Sequence, residues 1–174
     1  MLETYTIPAT AIAYASGKSM LGIFNAAASV KMIKVWRIWV LNNGTAAVTG
    51  VLTTFQLQLS TAQSAGSAIT PVKHDSANAA IDANVAIASG ATVTDGNLLR
   101  QILYSNDEAI ASGATQDEWE LLVPLNCVWD SGYGDSNIQP ITLRSSDQGF
   151  HVKHSGTSAV GSCDIFAEIT QEAE

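Results

Sequence analysis

The chain has 174 residues, the size of a single domain with one core. Only 14% of them are charged, against about 25% in an ordinary soluble domain, and the formal net charge is −8. That balance excludes a coiled coil, which needs charged flanks to a sustained heptad, and a binder that works by neutralising phosphates; at 47% hydrophobic residues the chain is also too apolar to be disordered.

Residues 1–18 are apolar and extended-leaning, with Pro8 disfavouring a helix before it and Ile7, Ile12 and Tyr14 around it. They read as an edge strand or as an arm that adds to a neighbouring subunit by strand pairing, followed by a single β-sandwich domain over residues 19–174. Met1-Leu2-Glu3-Thr4 lacks the basic start of a signal peptide, and no run approaches the about 18 apolar residues of a membrane span.

Met20–Asn25 is the next strand-like segment. Val30–Leu41 is apolar on both faces and rich in Val, Ile and Trp, which suits a long central strand; Lys31, Lys34 and Arg37 belong to its edge or outer face. Asn42-Asn43-Gly44-Thr45 follows, and Asn-Gly is a strong turn signal, so this run and the next are expected to form a long hairpin. In that next run Val51, Thr53, Phe55, Leu57 and Leu59 share one face, while Gln56 and Gln58 mark the wet side. Further strand-like segments are Ile69–Lys73, Leu98–Tyr104, Trp119–Val128, Ile141–Arg144, Gly149–His154 and Ala159–Thr170. The last alternates Ile165, Ala167 and Ile169 against Phe166 and Glu168. The Ala-rich stretch His74–Ala88 has room for a short helix. The heptapeptide Ala86–Thr92 returns as Ala109–Thr115, either as two similar loops or as chance in a chain rich in Ala, Ser and Gly. Many short strands separated by turn chemistry read as an all-β fold. The expectation is an antiparallel β-sandwich, jelly-roll-like, of about eight strands, with an extended N-terminal arm.

Catalytic spacings are scarce. Asp107, Glu108, Asp117, Glu118 and Glu120 offer paired carboxylates for a hydrolase, but adjacent loop acids are ordinarily just solvated. His151 and His154, three apart on a strand, point to opposite faces and cannot share a metal. Asp130, Asp135 and Asp147 offer carboxylates for calcium without the EF-hand spacing. Cys127 and Cys163 sit in apolar runs and read as small buried hydrophobes, with a disulfide left open by their separation. Trp119, Trp129 and Tyr133 are aromatic groups that suit sugar stacking or an interface anchor. On this reading the chain is not an enzyme and uses no cofactor or metal.

Several stretches together resemble a group of small structural proteins from tailed bacteriophages and prophages. They are Val35–Asn43, Thr70-Pro71-Val72-Lys73-His74-Asp75, Tyr104-Ser105-Asn106-Asp107-Glu108, Val128–Asp135, and Ile141–Arg144 followed by Gly149-Phe150. The resemblance implies an all-β virion protein of the capsid or its surface, and transfers no functional residues. It leads us to expect a capsid decoration or cement protein, made in the host bacterial cytoplasm and located in the virion. Its partners would be further copies of itself, with a trimer favoured, and the major capsid protein, with no nucleic acid and no membrane. Ile7, Pro8, Ile12 and Tyr14 are the expected contacts of the arm, and Trp129 and Tyr133 those of a contact loop. The alternative is a tail or fibre-tip module that recognises host surface glycans through Trp119, Trp129 or Tyr133.

Overall fold

The apolar alternation with period two is realised as twelve strands, seen in a computed structural model that describes residues 2–43, 51–106, 127–132, 139–155 and 161–174. In chain order these are β1 (Glu3–Ala13), β2 (Ser19–Asn25), β3 (Lys31–Asn43), β4 (Val51–Ser64), β5 (Ser67–Ala68) and β6 (Val72–Lys73). They continue as β7 (Val85–Ser89), β8 (Thr92–Asn106), β9 (Cys127–Asp130), β10 (Ile141–Leu143), β11 (Gln148–Ser155) and β12 (Ser162–Ala173). Every pairing is antiparallel, and there is no helix among the described residues.

Two sheets share the strands. The first runs β10-β3-β12-β1-β6, with β9 pairing the same edge of β3 as β10 but further along it; the second runs β5-β7-β2-β11-β4-β8. Their facing sides meet in one core, because side chains two apart on each strand point the same way. Ile165, Ala167 and Ile169 of β12, Ile33, Val35, Ile38 and Val40 of β3, and Phe55 and Leu57 of β4 are all fully buried there. The inward set on β3 jumps from Val35 to Ile38, and the register with β12 passes over Trp36 at the same place, so a bulge carries the extra residue.

Four expectations change. About eight strands were expected and twelve are present among the described residues; β5 and β6 are two-residue ladders, and β9 and β10 divide one edge of β3 between them. The long hairpin is replaced by a crossing between sheets: β3 pairs β12, β9 and β10, and β4 pairs β11 and β8. The Asn-Gly turn expected at 43–44 falls at residues 44–50, which lie outside those described. The helix within 74–88 gives way to turns and β7. Asp75 Oδ1 accepts from the Ala77 N–H at 2.9 Å and Asp82 Oδ1 from the Asn84 N–H at 2.8 Å, so side chains take the amides a helix would use.

The extended arm is instead β1, a strand of this chain's own sheet. It lies between β12 and β6, with Ile7 opposite Ala167 and Tyr5, Ile7 and Ala9 buried. The physical reason is the alternation Tyr5-Ile7-Ala9, which gives β1 a core face of its own. A bulge at Ala11 (φ 54°) re-aims the strand end, and the Ala11 N–H is taken up by Asp164 Oδ1 at 2.7 Å.

Candidate functional site

Two regions of the sandwich stand apart from its core. The first is the outward face of the β3-β12-β1 sheet. Trp39, Phe166 and Pro8 are in register across those strands and form a half-buried apolar row, because the inward positions belong to Val40, Ile165 and Ile7. Trp36 lies on the same side, its indole N–H donating to Thr170 Oγ1 at 2.9 Å. Charged pairs flank the row. The Arg37 guanidinium is 3.4 Å from Asp130 and 3.5 Å from Glu168, and Lys34 pairs with Glu172. Lys34 and Arg37 of β3 therefore do lie on its outer face, whereas Lys31, two before Ile33, follows the inward alternation.

The second region is a chamber on the outward side of the other sheet. Beyond Ser60, β4 leaves β11 and pairs only with β8, and its end carries Gln63 across to β2 and β7. The β4–β8 ribbon turns a corner at Ala65-Gly66 and Gly90-Ala91 and continues as β5–β7, and β7 pairs with β2. Hydrogen bonding thus runs from β7 through β2, β11 and β4 to β8, and the chain itself joins β7 to β8 through Gly90-Ala91.

Glycine lets the ribbon come this close. A Cβ on Gly22 would land on Gln63 Oε1; one on Gly149 would land on Ser60 Oγ, 2.8 Å from Phe24 Cδ2 and 3.1 Å from the Ile23 carbonyl.

Ser19, Gln58, Ser60 and His151 face this chamber and are buried although they point away from the core. At its rim the Asp95 carboxylate holds Oδ1 3.3 Å from His151 Nε2 and pairs through Oδ2 with the Lys153 ammonium. Burial drives the His151 imidazole down to about 4, an effect that outweighs the nearby Asp95 charge, so the ring is neutral near pH 7. His154 points the other way, into the core, its ring 5.5 Å from that of Tyr14 and 6.0 Å from that of Phe55. The two histidines are on opposite faces, as their spacing requires.

The expected contact residues are scattered. Ile7 and Tyr14 are buried in the core, Ile12 packs against it, and Pro8 alone among these four belongs to the outward row. Trp129 also packs against the core, beneath the Arg100 guanidinium at 5.4 Å from its ring centre. Tyr133, Trp119, Asp135 and the carboxylates of Asp107, Glu108, Asp117, Glu118 and Glu120 lie outside the described residues. Asp130 and Asp147 spend oxygens on the backbone N–H groups of Gly132 and Ala27, at 2.7 and 2.9 Å. Among the described residues no three His, Cys, Asp or Glu side chains converge on a metal position. Cys127 and Cys163 are unbonded, on strands that flank β3 from opposite sides; burial pushes the Cys163 thiol up to about 12.

The chamber was missed at the level of sequence, although Gly22 and Gly149 within strand-like runs carry a signal of close backbone approach. No protein-family model, curated protein or solved structure matches the chain.

Proposed function

We propose that the sandwich is a jelly roll and that the chain is a structural protein of a tailed-phage virion, a decoration or cement protein acting by association with copies of itself and with the major capsid protein. One observation carries the reading: the order in which the strands lie. The sequence β1-β12-β3-β9/β10 in one sheet against β2-β11-β4-β8 in the other is the order of two interlocked Greek keys, with β5 to β7 inserted between the fourth and fifth strands of the frame. Jelly rolls of this plan recur in viral capsid and lectin domains, and the fold by itself leaves the choice between them to the surface. The resemblance of the five sequence stretches to phage structural proteins favours the capsid. A chain so poor in charge is also suited to having much of its surface covered by other protein, since interfaces are depleted in Lys, Glu and Asp.

The row Trp39-Phe166-Pro8 is the surface on which such contact would centre, with the Arg37 and Lys34 ion pairs as its polar rim. Quantitative mass spectrometry of purified particles, alongside sedimentation of the isolated chain, tests the reading. High copy number beside the major capsid protein and an oligomer in solution are expected; a chain absent from particles and monomeric in solution overturns it. The same outward aromatic row favours one second reading, a tail or fibre-tip module stacking on host glycans. A glycan array with hits that disappear in Trp39→Ala would select it over decoration.

A further inference from the structure

We propose that the chamber under the β4–β8 ribbon is a hydration site that holds about two internal water molecules as fixed parts of the fold. Six buried side-chain atoms have no hydrogen-bond partner in the protein: Ser19 Oγ, Gln58 Oε1, Ser60 Oγ, Gln63 Oε1 and both ring nitrogens of His151. Register and contact put them together. His151 is opposite Gln58 and Gly22, Ser60 is opposite Gly149 and Asp95, and Gln63 and Ser19 close over Gly22.

The six atoms do not serve one another in this arrangement. The Asp95 carboxylate beside Nε2 favours the tautomer with its proton there, which makes Nδ1 an acceptor. Gln58 and Gln63 already donate their amides, to Gln56 Oε1 at 3.0 Å and to the Ala86 carbonyl at 3.4 Å, so each turns its oxygen inward. Three acceptors therefore face three donors, the two serine hydroxyls and the Nε2 proton, yet none of the six atoms makes a hydrogen bond to another. A group from outside the protein is needed to bridge them.

Water fits that need, since each molecule offers two protons and makes about three bonds in such sites, so that about two serve all six atoms. An anion brings only more acceptors. A metal cation would sit beside the Lys153 ammonium, whose carboxylate partner is already engaged at the rim.

A crystal structure at a resolution that places waters is the test. Two waters, each within hydrogen-bond distance of at least two of the six atoms, are expected; Ser60→Ala should lose one of them and melt a few degrees lower. The six atoms paired directly with one another, or a bound group at metal-coordination distances, overturns the proposal. If Ser60→Ala does not fold, the unmodified protein still decides the matter in solution. Long-lived water cross-peaks to the amides of Gly22, Gly149 and His151 are expected in NMR spectra, and their absence sinks the idea.

Discussion

The His151 imidazole, buried on the outward side of β11, holds Nε2 3.3 Å from Oδ1 of Asp95, a carboxylate at the rim on the ribbon that roofs it. Asp95 belongs to β8 and is two strands away across β4, so this contact ties the edge strand to the middle of its sheet. Lys153 takes the other carboxylate oxygen from the His151 side. The group that ties the ribbon down is therefore also a group whose charge is costly.

Acid should loosen this region. Unfolded, the His151 ring titrates near 6.5; folded, it titrates at about 4 because burial disfavours the cation. Between those values the unfolded chain binds more protons, so stability rises with pH. The contribution is intact above about pH 6.5 and is lost as pH falls towards 4, by ~3 kcal/mol in full. Burial depresses His154 as well, with the same sign, so the comparison has to be made between variants. Melting temperatures from pH 4 to 8 should fall with acid in the unmodified protein and fall less steeply in His151→Gln. Equal slopes would show that His151 titrates normally in the fold.

The two chamber glycines should differ in what they tolerate. A methyl on Gly22 meets the far end of the flexible Gln63 side chain, which can swing aside, and the cost should be about 1 kcal/mol. A methyl on Gly149 meets the Phe24 ring and the Ile23 carbonyl as well as Ser60, and the carbonyl, being backbone, retreats only if β2 moves. Gly149→Ala should therefore cost about 3 kcal/mol, read from denaturant midpoints at unchanged slope.

These residues also mark where sequence reading stops. The β12 alternation was legible because Ile165, Ala167 and Ile169 face one core and Phe166 and Glu168 face outward, so period two maps directly onto burial. Gln58 obeys the same period and is nonetheless buried, because a second cover, the ribbon, lies over what would otherwise be the wet side. Periodicity reports which face a residue is on and says nothing of what returns to cover that face. The misplaced hairpin has a related origin. Asn43-Gly44 signals a turn, but the edges of β3 are taken by β12 on one side and β9 and β10 on the other, partners far along the chain that local signals do not encode. Of the expected contact residues, Pro8 was legible only by name: its place in the row depends on the register with Phe166 and Trp39.

Arg100 should matter through its plane as well as its charge. From β8 it crosses to the other sheet, donating through Nη1 to the Val128 carbonyl at 2.9 Å while its guanidinium covers the Trp129 ring. This is a direct tie between the ends of the two sheets. Removing it in Arg100→Ala should cost about 1 kcal/mol, and Arg100→Lys should recover little, since an ammonium does not both stack and donate in this geometry. Full recovery by Lys would reduce the interaction to simple charge.

Ile7 and Pro8 separate the strand from the arm. They are neighbours on β1, one turned to the core opposite Ala167 and the other turned outward beside Phe166. In a strand of this chain's own sheet, Ile7→Ala leaves a cavity among side chains that are all fully buried, and should destabilise the isolated protein by about 3 kcal/mol. Pro8→Ala deletes a few atoms from a half-buried row and should change stability by less than about 1 kcal/mol, because the ring has no core contact to lose. In an arm reaching onto another copy, both substitutions would weaken assembly and neither would shift the unfolding of a single chain. Urea denaturation at several protein concentrations distinguishes these cases. A large, concentration-independent loss for Ile7→Ala alone is the expected pattern, whereas loss that grows on dilution for both would return β1 to the neighbour.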